Sequence, residues 1–396
     1  MDVRWRSLIL LTAARTTMGV QFQSLASVFS GIAGEIALNY SDLGLLVGLY
    51  FLPGVVVALP AAAAGQRYGD KRMVLAGLFL MALGGVLLAA ADSAASLAAG
   101  RVISGIGAVL LNVLMSKMIT DWFAAREITL AMSIFVNAFP IGIGLAQLGF
   151  GGTWFTLDWR HCMLLVAGLA ALAFVVVLCF YTRHANDLGI TTASGATRLA
   201  SPALKLVCLA GAIWGLYNGA FAVMFSFAPF ALANAGLRPA ESATLIALST
   251  WAVVLSVQAG GVVAGKWVAP GLLLIVGIAG WALCMAVAAS MPALAGPALL
   301  LSGLVMGWPV GVILAMPAQV LHPAQRSIGM GIFYLWLYAG HGLIPPVAGW
   351  LQDRMDTPST SLLVVGGLAL GILLVHHAYV RILRGYQGSS GERAST

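Results

Sequence analysis

Two arginines stand where a charged side chain has no ready water. Arg15 lies inside the first long apolar stretch of the chain, and Arg101 opens the fourth. A guanidinium keeps its charge at any ordinary pH and presents a planar fork of donors, so it suits a carboxylate or another flat anion held by paired hydrogen bonds. Counted from Leu8, Arg15 is roughly 11 Å along a helix, too deep to reach the interface comfortably. An arginine at mid-bilayer costs about 2.5 to 3.5 kcal/mol on insertion scales, so a wet cavity or a partner has to compensate it. None of the 13 Asp and Glu residues falls within an apolar stretch. The expected countercharge is therefore a small anion, preferably carboxylate-like, with Arg15 as first contact and Arg101 assisting. Snorkelling or a carbonyl bond is the competing reading for Arg15, and helix capping for Arg101.

Helical phase gathers further candidates around this pair. At 100° per residue, Arg15 shares a face with Met18, Gly19 and Phe22, and Arg101 shares one with Gly105, Ala108 and Asn112. In the second half, Trp214, Tyr217, Asn218 and Phe221 recur on one face, as do Trp251 with Gln258 and Trp308 with Gln319. Aromatic stripes of this kind also serve plain packing. Tyr334, Tyr338 and His341 form a third stripe, and imidazole changes charge near neutral pH, so His341 is the candidate for proton coupling. A structural, hydrogen-bonded histidine is the alternative. Lys117 points away from the Asn112 stripe and is expected to snorkel.

The elements that must position these groups follow from composition. With 61% hydrophobic residues, 8% charged and a mean hydropathy of +0.97, the chain lacks the polar surface that a soluble globule needs. It divides into twelve apolar stretches, each long enough to cross a bilayer as a helix. Of the 20 Lys and Arg residues, fourteen fall in the alternate connections that share a side with the N-terminus. Three more, Arg160, Arg238 and Arg354, fall on the other side. That asymmetry predicts both termini in the cytoplasm. It also explains the net charge of +7 without a nucleic-acid partner.

The hydrophilic segment 183–203 separates an N-terminal six-helix bundle, 1–182, from a C-terminal one, 204–396, with a short cytoplasmic tail. Two equivalent bundles around a midplane cavity are the arrangement of a carrier that rocks between two openings. Pro345 and Pro346 are expected to break the eleventh helix near its external end. Gly303, Gly307 and Gly311 should give the tenth a smooth face for close packing. The four cysteines lie in apolar stretches without metal-ligand spacing, and no phosphate-binding glycine loop with lysine occurs. No cofactor, metal or direct use of ATP is expected, and the chain is expected to act as a monomer.

Three stretches resemble the major facilitator superfamily. Ala62 to Arg72 (AAAGQRYGDKR) is similar to the superfamily's signature between helices two and three; Arg67, Gly69 and Lys71 match, whereas Ala62, Gln66 and Asp70 depart from it. Arg101 to Ala108 (RVISGIGA) resembles the signature of helix four, and Asp158 to His161 (DWRH) the corner entering helix six. Ala138 to Gly144 (AFPIGIG) lacks the Gly-Pro pair of antiporters. The resemblance implies an all-α membrane protein of twelve transmembrane helices in two six-helix bundles. It further implies a cytoplasmic gate at Gln66, Arg67, Gly69, Asp70 and Lys71, with Gln66 replacing the usual aspartate.

Residues 121–142 and 321–353 are most similar to the bacterial cyanate and nitroimidazole transporter group. The expectation is thus a secondary active transporter of a small anionic solute working by alternating access, with a proton as a possible coupling ion. An efflux pump for neutral or hydrophobic compounds is the alternative within transport, and a membrane-integral receptor or enzyme the alternative outside it. Enzymes normally show clustered carboxylates, a nucleophile with its base or metal ligands, and none is evident in the sequence.

Overall fold

The computed structural model describes residues 2–123, 127–151, 157–182, 199, 201–321, 325–355, 357 and 359–394. The first half holds α1 (Val3–Ser27), α2 (Phe29–Ile36), α3 (Tyr40–Leu49), α4 (Gly54–Tyr68), α5 (Asp70–Ala89), α6 (Ala94–Phe123), α7 (Ile128–Phe150) and α8 (Trp159–Phe180). The second holds α9 (Ser201–Asn234), α10 (Pro239–Val263), α11 (Pro270–Ser290), α12 (Ala295–Met306), α13 (Val310–Ala315), α14 (Arg326–Met355) and α15 (Thr360–Ala394). Among the described residues, ten helical segments are long and apolar enough to cross a membrane. Helices α1 and α14 bring the crossings to the expected twelve. Both are long enough, at 25 and 30 residues, and both are diluted by the polar side chains that make them interesting. Most of the segment 183–203 lies outside the described residues, and its last three residues already belong to α9.

Proline decides where these crossings bend. The tenth is interrupted between α12 and α13 at Gly307 to Pro309 and ends in a single 3-10 turn, Pro317–Gln319. Its glycine face is only partly used: Gly303 and Gly307 press against α10, while Gly311 faces open space. The second crossing breaks around Phe51 to Pro53, between α3 and α4. By contrast, Pro345 and Pro346 do not break the eleventh crossing, since α14 runs through both without interruption. The reason lies across the interface, where any side chain at Gly44 or Gly48 would collide with the carbonyl oxygens of Pro345 and Gly342. Helix α3 lies flat against the stretch whose own N–H donors proline removed, and such close backbone contact suits a helix that water cannot reach.

The helices of each half pack mainly on one another, and the halves meet where α3 and α4 face α14, α7 faces α10, and α1 faces α9. The seam is tight at the far side, opposite the termini. There Asp353 at the end of α14 accepts from the backbone N–H groups of Tyr40 (3.0 Å) and Ser41 (2.7 Å), capping the start of α3 with a carboxylate from the other half. The Tyr40 ring packs against Phe227 and Phe230.

Deeper in the seam, Gln23 of α1 and Gln147 of α7 both donate to the Phe225 carbonyl of α9, at 3.0 and 3.3 Å. Pro229 stands four residues after Phe225 and cannot supply the helical N–H, so that carbonyl is free to accept from the other half. Toward the terminus side Tyr334 is 40% exposed, and Leu59, which approaches Gly331 of the other half, is 71% exposed.

Removing one glutamine leaves the Phe225 carbonyl a second donor, whereas removing both leaves a buried acceptor unpaired, at about 1 to 3 kcal/mol. Gln23→Leu and Gln147→Leu should each lower the thermal unfolding midpoint slightly, and the double variant by clearly more than the sum. Strict additivity of the three midpoints would show that the carbonyl is not shared.

Candidate functional site

Arg15 reaches from the middle of α1 toward α6 and α14. Its Nη1 donates to the Asn112 side-chain oxygen at 2.8 Å, and the Asn112 amide in turn donates to the Tyr338 hydroxyl at 3.0 Å. The two bonds fix which end of the amide faces the arginine, and they carry the contact across the seam between the halves. The guanidinium lies over the Phe135 ring of α7, 4.5 Å from its centroid, a cation–π contact worth more in a dry setting than in water. Tyr334 stands one turn from Tyr338 on the open side of the same α14 face and is partly exposed. Among the described residues no carboxylate comes within ion-pair distance of Arg15.

The other two basic groups within the spans are compensated. Arg101 is fully buried and donates through Nε to the Leu46 carbonyl (2.8 Å), through Nη1 to Gln21 (3.0 Å) and through Nη2 to Phe22 (3.2 Å). Its guanidinium also lies over the Tyr50 ring. The geometry matches the capping alternative, because these bonds tie α6 to α1 and α3 inside the first half. Lys117 does not snorkel: its ammonium bridges Asp70 at 2.5 Å and Asp121 at 3.1 Å. Asp70, the first residue of α5, is buried and turned inward, and this is what draws the lysine in.

The expected gate turn makes its described contacts within the first half. Gln66 and Arg67 are exposed, and Gly69 takes a left-handed φ of 91° at the turn. Lys71 donates to the carbonyls of Leu178 and Tyr181, at 2.9 and 2.8 Å, and Asp70 meets Lys117. The corner at helix six is anchored likewise. Asp158 caps α8 through the Arg160 N–H, and Arg160 pairs with Glu35 and stacks on Trp159.

Two turns beyond Arg15 on α1, Phe22 enters an aromatic cluster that spans both halves. Its ring contacts Phe51 (5.4 Å), Phe139 (5.6 Å) and His341 (6.0 Å). His341 sits 4.3 Å from Phe51 and 6.5 Å from Phe221 and is 3% exposed. It leans toward the Leu337 carbonyl of its own helix, but neither ring nitrogen completes a well-formed hydrogen bond. Phe51 joins the cluster to Tyr338, their ring centroids 6.4 Å apart. His341 thus packs against both halves, while neither of its nitrogens bonds to another element.

The remaining second-half candidates divide. Trp214 stacks between Tyr217 and Phe333, Tyr217 donates to the Met306 carbonyl at 3.0 Å, and Asn218 donates back to Trp214 at 2.7 Å, so these three knit their own half. The indole N–H groups of Trp214 and Trp251 are buried without a partner, and Trp251 lies against Gly144 of α7 across the seam. Gln258 is exposed and Trp308 partly buried beside Gly260, and neither has a described contact with Arg15 or His341. Sequence reasoning missed Phe51, Phe135, Phe139, Gln23 and Gln147. The two glutamines were detectable as amides inside apolar stretches, and the phenylalanines were hidden among many apolar neighbours.

Comparison with known proteins agrees with this architecture. The uncharacterized transporter YycB of Bacillus subtilis is 26% identical over 239 residues, 58% of this chain and 56% of that protein, so the match spans little more than half its length. The 3-(3-hydroxy-phenyl)propionate transporter of Escherichia coli is 30% identical over 170 residues, 40% of this chain and 39% of that one. Among solved structures, a point mutant of the nucleoside transporter NupG superposes with a TM-score of 0.78 at 14% identity, covering 96% of this chain and all of the other. The family model of the Major Facilitator Superfamily matches residues 11–345. With twelve helical crossings and a family match over most of the sequence, this chain belongs to the Major Facilitator Superfamily.

Proposed function

We propose that the protein is a secondary active transporter that carries a small carboxylate-like anion by alternating access, from a bacterial inner membrane with both termini cytoplasmic. The single observation behind this reading is Arg15, a cation at the seam between the halves whose partners among the described residues are a neutral amide and an aromatic face. A buried charge of this kind is stable when its ligand brings the opposite sign. The chain has two units for the rocking motion, and we take their boundaries as 1–182 and 204–396. The conformation fits a state open toward the cytoplasm, with the far side sealed by Asp353, Gln23 and Gln147. A cytoplasmic latch at Gln66 to Lys71 is part of this proposal.

The 3-(3-hydroxy-phenyl)propionate carrier is named for an aryl carboxylate, a cargo class compatible with a guanidinium site. His341 is the residue we assign to proton coupling, being titratable, free of any well-formed hydrogen bond and placed at the seam. The cyanate and nitroimidazole group remains our choice of relatives within the superfamily, resting on residues 121–142 and 321–353.

Arg15→Gln should abolish uptake of organic anions in proteoliposomes while leaving the protein folded and monodisperse, because among the described residues the arginine makes one hydrogen bond and no ion pair. Uptake at the unmodified rate would remove the basis for an anionic cargo. Export of neutral drugs with no response to anions would favour the efflux reading instead. Arg101→Gln is expected to behave differently. It strips donors from three carbonyls buried in the first half, at about 1 to 3 kcal/mol for each unpaired group, and should fail first in thermal stability and yield. A stable Arg101→Gln protein with selectively lost binding would make Arg101 a ligand residue after all.

A further inference from the structure

We infer that the cargo carries a single negative charge on a flat carboxylate, held side-on by the Nε and Nη2 edge of Arg15, with an apolar body directed at the aromatic cluster. This rests on the anionic reading proposed above and narrows it.

Charge matching gives the first argument. In the first half three basic residues are set back from the helix ends, and two are already compensated: Arg101 by three carbonyls and its ring contact, Lys117 by two carboxylates. Among the described residues that leaves Arg15, whose partners are neutral. A dianion would bring a second charge into the seam with nothing to meet it, and an unmatched charge in a low dielectric is costly.

The second argument is the direction of the free donors. The Nη1 end of the guanidinium is committed to Asn112, which Tyr338 holds in place. Nε is buried and unpartnered, and Nη2 has no described hydrogen bond. Nε and Nη2 lie side by side on one edge of the fork and match the two oxygens of a carboxylate. Phe135 covers a face of the guanidinium, so the anion comes in along its plane.

The third argument concerns the body of the solute. Through Phe51, 6.4 Å from Tyr338, the Arg15–Asn112–Tyr338 bonds adjoin the rings of Phe22, Phe139 and Phe221, with His341 among them. Apolar rings accept a ring or short alkyl chain. A neutral imidazole with no well-formed bond at either nitrogen has one donor and one acceptor to offer an uncharged substituent such as a hydroxyl.

The test is ligand-induced thermal stabilisation of the purified full-length transporter with benzoate, butyrate, benzamide, terephthalate and phenyl phosphate, repeated on Arg15→Lys. A ligand that binds only the folded protein raises its midpoint. Benzoate and butyrate should stabilise, and the dianions and the amide should need at least about tenfold higher concentrations. Arg15→Lys keeps the charge but loses the forked edge, and should weaken benzoate by about tenfold. Terephthalate or phenyl phosphate acting as strongly as benzoate would overturn the single-charge assignment while leaving an anionic cargo standing. Benzamide acting as strongly as benzoate would overturn the anionic reading itself. Equal benzoate binding by Arg15→Lys would overturn the side-on edge, and no response to either monocarboxylate would overturn the whole inference.

Discussion

A polar group enclosed by apolar helices in a bilayer has no bulk water to fall back on, and the arrangement of this protein follows from how each such group finds a partner. Arg101 joins α6 to carbonyls of α1 and α3, Lys117 joins α6 to the first residue of α5, and Gln21 of α1 donates to the Met81 carbonyl of α5 at 2.8 Å. These bonds tie the helices of the first half to one another. Among the buried groups left without a hydrogen bond are the Arg15 Nε, the His341 ring, and the indole N–H groups of Trp214 and Trp251. They lie on helices that meet at the seam between the halves, which is where a carrier needs spare hydrogen-bonding capacity.

The same requirement explains how proline is tolerated. A proline inside a helix leaves a carbonyl without its N–H, and at Pro229 that orphan is used at the seam. Phe225 offers its carbonyl to two glutamines, and the backbone around Pro345 and Pro346 lies flat against the glycine-bearing face of α3. Bends and weak spots in the second half are thus the places where the first half docks.

Much of this was readable in the amino-acid sequence, and the limits were physical. Crossing number and helix faces follow from hydropathy and the 3.6-residue period, so Arg15, Asn112 and Tyr338 could be grouped with the right side of their helices. Whether Pro345 and Pro346 break a helix depends on what lies against it, and α3 is nearly 300 residues away in sequence. Lys117 was misjudged for a related reason: Asp70 sits at a helix start, where acidic residues commonly face water, and only the fold turns it inward. Arg101 and Arg15 look alike as sequence. Their difference lies in whether neighbouring carbonyls point at them, which periodicity does not encode.

The far-side seal has two layers of unlike chemistry. Its inner layer, Gln23 and Gln147 on one carbonyl, contains no ionisable atom, so neither acidification nor added salt can loosen it directly. Its outer layer is a carboxylate, Asp353, sitting at an exposed helix end where protons and counterions have access. In the proposed transport cycle, any dependence of far-side opening on the medium it faces would therefore be imposed at the rim of the molecule, and the inner amide pair would not respond to it.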